Sequence, residues 1–81
     1  MHDRTTETMS EERRARGIAL CRGEAERWRR EAGNVRNHAA LPHLDAAARA
    51  TLLRSADRCD DEAAFWEAGA RDCKAQDAAA P

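Results

Sequence analysis

The sequence contains few of the residues that build β-sheets and tight loops. Its 81 residues include two tryptophans, one phenylalanine, no tyrosine, four glycines and two prolines. Strands favour aromatic and β-branched side chains, so a sheet has little to be built from. Residues with high helix propensity, alanine and arginine above all, fill most of the other positions. These absences predict an all-α fold.

Membrane and secretory signals are also missing. No apolar run approaches the roughly 20 residues that a membrane span requires. The polar start MHDRTTETMS lacks the hydrophobic core of a secretory signal. Three cysteines without a CxxC pair fit reduced thiols better than a disulfide framework. We therefore expect a cytoplasmic protein that makes no contact with a membrane.

An excess of charge of one sign is absent as well. The chain carries 14 basic and 15 acidic residues, which gives a formal net charge of -1. This balance argues against binding of nucleic acid or of an anionic membrane through the net charge of the whole domain. A single domain of this length buries only a modest fraction of its surface. We therefore expect it to gain stability from a second copy or from a partner.

Capping residues predict two helices joined by one turn. Thr8 and Glu11 have the spacing of a capping box, and Ser10 is a competing cap. Pro42 disfavours helical geometry just before it, and Asp45 is a good N-cap for a second helix. The predicted segments are a flexible tail at 1–9, a helical hairpin at 10–75 with helices at about 10–39 and 46–74 around a turn at about 40–45, and a tail at 76–81.

Apolar residues recur at steps of three and four in both helices, the heptad pattern of helices that pack side by side. In the first helix they are Ile18, Cys21, Ala25, Trp28, Ala32 and Val35. In the second they are Leu52, Ala56, Cys59, Ala63, Trp66, Ala70 and Cys73. The predicted architecture is an antiparallel, coiled-coil-like hairpin with a structural core of Cys21, Ala25, Trp28, Ala32, Leu52, Ala56, Cys59 and Ala63.

A reversal of the chain at Pro42 would pair residues whose numbers sum to 84. This register places a small residue opposite each tryptophan or one layer away from it, as close packing requires. Charged side chains agree with it: Arg22 and Arg29 lie on one edge of the first helix, and Asp60 and Glu67 lie on the facing edge. Each exposed pair contributes less than about 1 kcal/mol, but together the pairs help to select the alignment.

The stretch from Arg27 to Arg30, which reads RWRR, combines basic residues with an aromatic ring. A patch of this kind can stack and bind nucleic acid. However, Trp28 lies in the middle of the heptad pattern, and glutamates at 24, 26 and 31 dilute the arginines around it. We interpret Trp28 as a core residue, with solvated arginines on the outer surface.

No catalytic constellation is evident. The sequence lacks a Gly-rich phosphate loop, an HExxH motif and the Glu-x-x-His pattern of di-iron bundles. We therefore expect no enzymatic activity, no cofactor and no metal. Cys21 and Cys59 in adjacent core layers leave a thiol-based metal or redox sensor as a further alternative, although buried cysteine commonly serves as a small hydrophobic residue.

Several apolar residues and glycines near the open end fall outside the heptad pattern or on its edge. Together they would form a patch that two helices cannot cover. The sequence therefore predicts a non-enzymatic interaction module that forms a homodimeric four-helix bundle or binds a partner helix, with a partner interface of Gly17, Ile18, Leu20, Phe65, Trp66 and Gly69. The alternative is a small nucleic-acid-binding regulator that uses Arg13, Arg14, Arg16, Arg27 and Arg30 of the basic first helix.

Overall fold

The computed structural model describes the backbone of residues 4–79 and the side chains of residues 10–74. It contains two helices, α1 (Arg4–Ala39) and α2 (Ala46–Ala79), which fold back on each other and pack along their length. The predicted all-α helical hairpin is therefore confirmed. α1 passes through Gly33 without a break.

The outer ends of both helices differ from the prediction. α1 begins at Arg4 instead of near residue 10, and α2 ends at Ala79 instead of near residue 74. Residues 4–9 and 76–79 of the predicted tails are thus helical, while residues 1–3 and 80–81 lie outside the described part of the chain. Residues 8 and 10 lie inside α1 and not at its start, because no proline or glycine before them interrupts the helix.

The turn occupies residues 40–45 and is held by the side chains of Asp45 and Arg49. The predicted N-cap is confirmed, because Asp45 Oδ1 accepts a hydrogen bond of 2.7 Å from the amide of Ala48. Arg49 then reaches back: its guanidinium donates hydrogen bonds to the carbonyl oxygens of Ala39, at 2.8 Å, and of Leu41 and Leu44. One side chain therefore satisfies carbonyl groups at the end of α1 and across the turn.

Alanine dominates the core. Ala56 and Ala63 are completely buried, and the other buried apolar residues are Ala25, Ala32, Ala39, Cys59 and Ala70. In each helix the buried alanines recur every seven residues. Three residues of the predicted core, Cys21, Trp28 and Leu52, are only half-buried. No large side chain among the described residues is fully enclosed.

The contacts near the open end do not follow the predicted register. The Cys21 thiol lies against Gly69, where an added Cβ atom would be 3.2 Å from its Sγ atom, and Gly17 lies against Cys73 in the same way. The residue numbers of each pair sum to 90, not to 84. The turn is centred beyond Pro42, and helical side chains lean toward the N-terminus of their own helix. Both effects raise the sum of the residue numbers of two residues that are in contact across the hairpin.

Candidate partner interface and the charged face opposite

Arginines of α1 and carboxylates of α2 form a network on one face of the hairpin. Arg29 donates to Asp60 Oδ1 at 3.0 Å and to Glu67 Oε1 at 2.9 and 3.1 Å. Arg36 donates to Asp57 Oδ1 at 3.2 Å and to the second oxygen of Asp60. We call this side, defined by the five residues named here, the ion-paired face.

The two arginines hold Asp60 as a carboxylate. The hydrogen bond from Arg36, together with the one from Arg29, lowers the pKa of Asp60 below its ordinary value, although partial desolvation opposes the shift. Hydrogen bonds to Glu67 and then to Asp60 raise the pKa of Arg29, and the bond to Asp60 raises the pKa of Arg36. Asp60, Arg29 and Arg36 therefore remain charged at neutral pH.

The network confirms part of the sequence interpretation. Arg29 pairs with Asp60 and Glu67 as the edge pattern predicts, but Arg22 forms no ion pair with any described residue. The pairs of Arg36 with Asp57 and Asp60 were missed. The seven-residue spacing from Arg29 to Arg36 was a signal that could have found them.

Apolar side chains lie on the opposite side of the hairpin. Glu67 belongs to the ion-paired face, and Arg22 lies seven residues before Arg29, on the same line of α1. Leu20 and Phe65 each lie two residues before one of these side chains, and a step of two residues turns a helical side chain by about 200°. Leu20 is 61% exposed and Phe65 is 66% exposed. Trp66 lies beside Phe65, with ring centroids 5.4 Å apart in an edge-to-face contact. Together with the half-buried Trp28, these residues define the apolar face.

Three of the remaining residues predicted for the interface lie between the helices. Gly17 and Gly69 lie against the thiols of Cys73 and Cys21 from the opposite helix. Ile18 lies seven residues before Ala25 and continues the line of buried alanines, where it is half-buried. The exposed centre of the predicted interface is therefore Leu20 and Phe65.

Both tryptophans occupy the border between the core and the apolar face. The guanidinium of Arg27 lies over the Trp28 ring, 5.9 Å from its centroid, and also contacts Glu24 at 3.6 Å. The indole N–H of Trp66 is buried without a hydrogen-bond partner in the described part of the chain. An unsatisfied donor costs free energy, so Trp66 contributes less stability than the burial of its ring alone would give.

Open grooves accompany the ion-paired face. A groove of 610 Å³ is lined by Arg22, Ala25, Glu26, Arg29, Arg30 and Glu67. A second groove of 190 Å³ shares Arg22 and Glu67 and adds Ala70, Arg71 and Lys74. Both have an alanine floor and a charged rim. Four of the cations on this rim, Arg22, Arg30, Arg71 and Lys74, form no ion pair with a described residue.

The cysteines are free thiols, of which Cys59 is buried and Cys21 and Cys73 are half-buried. Within the described residues, no group of three or more histidine, cysteine or carboxylate side chains is arranged to hold a metal ion. Neither described helix has an apolar stretch of the length needed to cross a bilayer. Comparison of the chain with protein-family models, with curated proteins and with solved structures finds no match.

Proposed function

We propose that this chain is a small non-enzymatic interaction module, an adaptor or regulator, that self-associates through its apolar face. Two hairpins would then form a four-helix bundle. The observation that carries this proposal is the contrast between core and surface. Among residues 10–74, the buried apolar side chains are alanines and Cys59, whereas Leu20 and Phe65 remain largely exposed on one face.

The free energy available at this face supports association. Covering an exposed phenylalanine contributes about 1–2 kcal/mol, and symmetry doubles that contribution in a dimer. The hairpin is a single layer, because its Cα atoms extend only 11 Å in the thinnest direction. Domains of globular proteins commonly need a second packed layer to enclose a core. A second copy supplies that layer with the same apolar residues.

The three free cysteines fit a module that works in a reducing compartment, and we place it in the cytoplasm. No catalytic chemistry is required of it. Its two faces have different roles in the proposal: the ion-paired face aligns the two helices of one chain, and the apolar face binds the second chain.

Sedimentation equilibrium of the natural chain, with reductant present, tests this proposal. We expect a dimer that dissociates on dilution. Phe65→Asp should weaken dimerisation by about 100-fold or more, because it removes two buried rings and introduces two carboxylates into the contact. The helical circular dichroism signal should be retained, since Phe65 lies outside the core of the hairpin.

Leu53→Asp is the matched control. Leu53 is 42% exposed and lies seven residues before Asp60, on the line of the ion-paired face. The same change of charge there should alter dimerisation by less than about threefold, as expected for a substitution outside the contact. A natural chain that stays monomeric at millimolar concentration, or equal effects of the two variants, would contradict self-association through the apolar face.

A second candidate function is binding of nucleic acid at the grooves of the ion-paired face. The observation that favours it is a set of four cations that line grooves with an alanine floor and form no ion pair within residues 10–74: Arg22, Arg30, Arg71 and Lys74. Of the arginines predicted from sequence for this role, Arg27 is engaged with Glu24 and the Trp28 ring. Phosphate contacts would thus involve both helices rather than α1 alone.

Fluorescence anisotropy with a labelled single-stranded oligonucleotide tests this second function. Binding through these cations should weaken steeply with salt, because phosphate contacts release counterions. Arg22→Ala and Lys74→Ala should each reduce the affinity. Absence of binding at 20 mM salt, a concentration low enough to leave surface charges at roughly full strength, would exclude it.

A further inference from the structure

We propose that Cys21 and Cys73 form a binding site for a soft monovalent cation, Cu(I), which their two thiolates would hold between α1 and α2 at the open end of the hairpin. The site lies within one chain, so the inference does not rest on the proposed self-association. It follows from the contacts of the two thiols with the glycines on the opposite helix.

The two helices carry the same spacing of glycine and cysteine. Gly17 precedes Cys21 by four residues in α1, and Gly69 precedes Cys73 by four residues in α2. Residues four apart lie on the same face of a helix, one turn from each other. The Sγ atom of Cys21 is 3.2 Å from the position of a Cβ atom added to Gly69, and the Sγ atom of Cys73 is 3.8 Å from that of Gly17. The two faces are therefore turned toward each other across the hairpin.

The antiparallel course of the helices makes the two thiols converge. Cys21 lies near the level of Gly69 and Cys73 near the level of Gly17, so the cysteines are offset along the hairpin by about one turn, roughly 6 Å. Helical side chains lean toward the N-terminus of their own helix. In α1 this direction leads from Cys21 toward the level of Cys73, and in α2 it leads from Cys73 toward the level of Cys21. The lean of both side chains thus shortens the offset between the sulfur atoms.

This arrangement suits a bridging ion better than a disulfide. A disulfide needs Cα atoms within about 7 Å of each other. The axial offset of the cysteines uses most of that distance, and the separation of the two helices adds to it. A bridging metal ion contributes two bonds of about 2.3 Å, so it joins sulfur atoms that are about 4–5 Å apart. Both thiols are free and half-buried, which leaves them accessible to an ion.

The number of ligands selects the kind of ion. Among residues 10–74, no group of three or more histidine, cysteine or carboxylate side chains could surround a metal ion. Structural zinc sites use four protein ligands, and calcium and magnesium prefer six or more oxygen atoms. Cu(I) is a soft ion that favours thiolates, and two of them in a line complete its shell. Two thiolates without a third ligand therefore match Cu(I).

The register also changes which cysteine is the partner of Cys21. The heptad pattern alone places Cys21 and Cys59 in adjacent layers. In the structure Cys21 lies near the level of Gly69, ten residues beyond Cys59, so these two thiols are about 15 Å apart along the helix axis. Cys59 is buried in the alanine core. Cys73 therefore replaces Cys59 as the second ligand.

Binding changes the protonation of the two thiols and leaves the oxidation state of copper unchanged. Each thiol loses its proton to the buffer, one Cu–S bond forms to each sulfur, and the chelator that delivered Cu(I) leaves. Cys21 and Cys73 are far apart in the sequence and come together only in the folded hairpin. The ion therefore binds the folded chain more tightly than the unfolded chain and stabilises it.

Anaerobic titration of the reduced chain with Cu(I) delivered by bicinchoninate tests the site. We expect one Cu(I) per chain and a raised thermal midpoint. Cys21→Ala and Cys73→Ala should each lower the affinity by about 100-fold or more, because a single thiolate lacks the effective concentration that the second one supplies. Cys59→Ala is the matched control and should change the affinity by less than about threefold. Circular dichroism first checks that each variant is helical. Equal losses in all three variants, or natural-chain binding no tighter than that of Cys21→Ala, would overturn the site.

An equimolar mixture of the Cys21→Ala and Cys73→Ala chains distinguishes a site within one chain from a site between two copies. The mixture supplies both thiols, but on different molecules. Its affinity for Cu(I) should stay as low as that of either variant alone. Recovery of the natural affinity would place the ion between two copies and overturn the proposal.

A crosslinking measurement tests the convergence of the thiols without a metal. Dibromobimane alkylates two neighbouring thiols with loss of two bromides and two protons, and it becomes fluorescent when both C–S bonds form. It should bridge Cys21 and Cys73 within the Cys59→Ala chain, and it should give no bridge within the Cys73→Ala chain. No bridge in the first chain would show that the thiols lie too far apart to share an ion. Sedimentation of the natural chain tests self-association separately, so either proposal would stand if the other failed.

Discussion

On the ion-paired face, Arg29 and Arg36 reach carboxylates on the other helix of the same chain. On the apolar face, Leu20 and Phe65 remain largely exposed, although Phe65 contacts the ring of Trp66. On one face, folding therefore joins the two helices by ion pairs, whereas on the other it leaves large apolar side chains without a cover. This difference is the reason that we propose the apolar face as the surface for self-association.

The line of alanines explains why the two faces differ. Small side chains every seven residues let the helices approach closely, so tryptophan rings cannot fit between them. Trp28 and Trp66 therefore lie at the border between the core and the apolar face, where they are half-buried. Long arginine side chains, in contrast, can cross the narrow gap to Asp60 and Glu67. The same close approach thus favours ion pairs on one face and exposed apolar groups on the other.

The largest expected effect comes from a substitution in the alanine core, which lies between the two faces. Ala63 is completely buried between the helices, so Ala63→Asp places an unpaired carboxylate in the core. We expect the free energy of unfolding to fall by about 3–5 kcal/mol, enough to unfold most of a marginal chain. Urea denaturation followed by circular dichroism, at one fixed protein concentration, measures the change.

Ala64→Asp is the control for this substitution, because Ala64 is the adjacent residue and is exposed. Its effect should stay within about 0.5 kcal/mol. Similar losses in the two variants would show that the alanine line does not form the core.

A smaller effect is expected from removing the shared carboxylate of the ion-paired face. Asp60→Asn should lower the thermal midpoint modestly, because Arg29 and Arg36 lose a charged acceptor that is partly exposed. The folded-state pKa of Asp60 is lowered, so its contribution is complete at neutral pH and is lost as the pH falls below about 4. Asp60→Asn should therefore flatten the decline of the midpoint as the pH falls below about 4.

The neighbouring Asp61 provides the comparison, since it forms no ion pair with a described residue. Asp61→Asn should leave both the midpoint and its pH dependence near those of the natural chain. If Asp60→Asn keeps the full acid dependence, the network does not contribute to stability.

The smallest expected effects on stability come from alanine substitutions at Gly17 and Gly69. Gly17→Ala should raise the free energy of unfolding by about 0.5–1 kcal/mol through helix propensity, because the added Cβ would lie 3.8 Å from the Cys73 thiol, an ordinary contact. Gly69→Ala should gain less, since its Cβ would be 3.2 Å from the Cys21 thiol. Chemical denaturation under reducing conditions measures both.

Removal of the thiol identifies the cause. In a Cys21→Ala chain, Gly69→Ala should recover the gain seen for Gly17→Ala, because nothing then crowds the added methyl group. Equal gains for the two glycine variants in the natural chain would instead mean that the thiol moves aside without cost, and that the close contact does not fix the register.

Much of the hairpin could be read from the sequence because heptad spacing and capping are local signals. The steps of three and four identified the buried alanines of both helices except Ala39, and the position of Asp45 identified the start of α2. The edge pattern found the contact of Arg29 with Asp60 and Glu67. These features depend on which residues share a line of a helix, and the sequence alone determines that.

The tertiary structure alone decided how far one helix is shifted along the other. A heptad pattern repeats, so it fixes the facing sides of two helices but not how far one is shifted along the other. The fit of the Cys21 thiol against Gly69 and the bonds of Arg49 to the turn carbonyls set that position. Such contacts join residues far apart in the chain, and they exist only once both helices are packed.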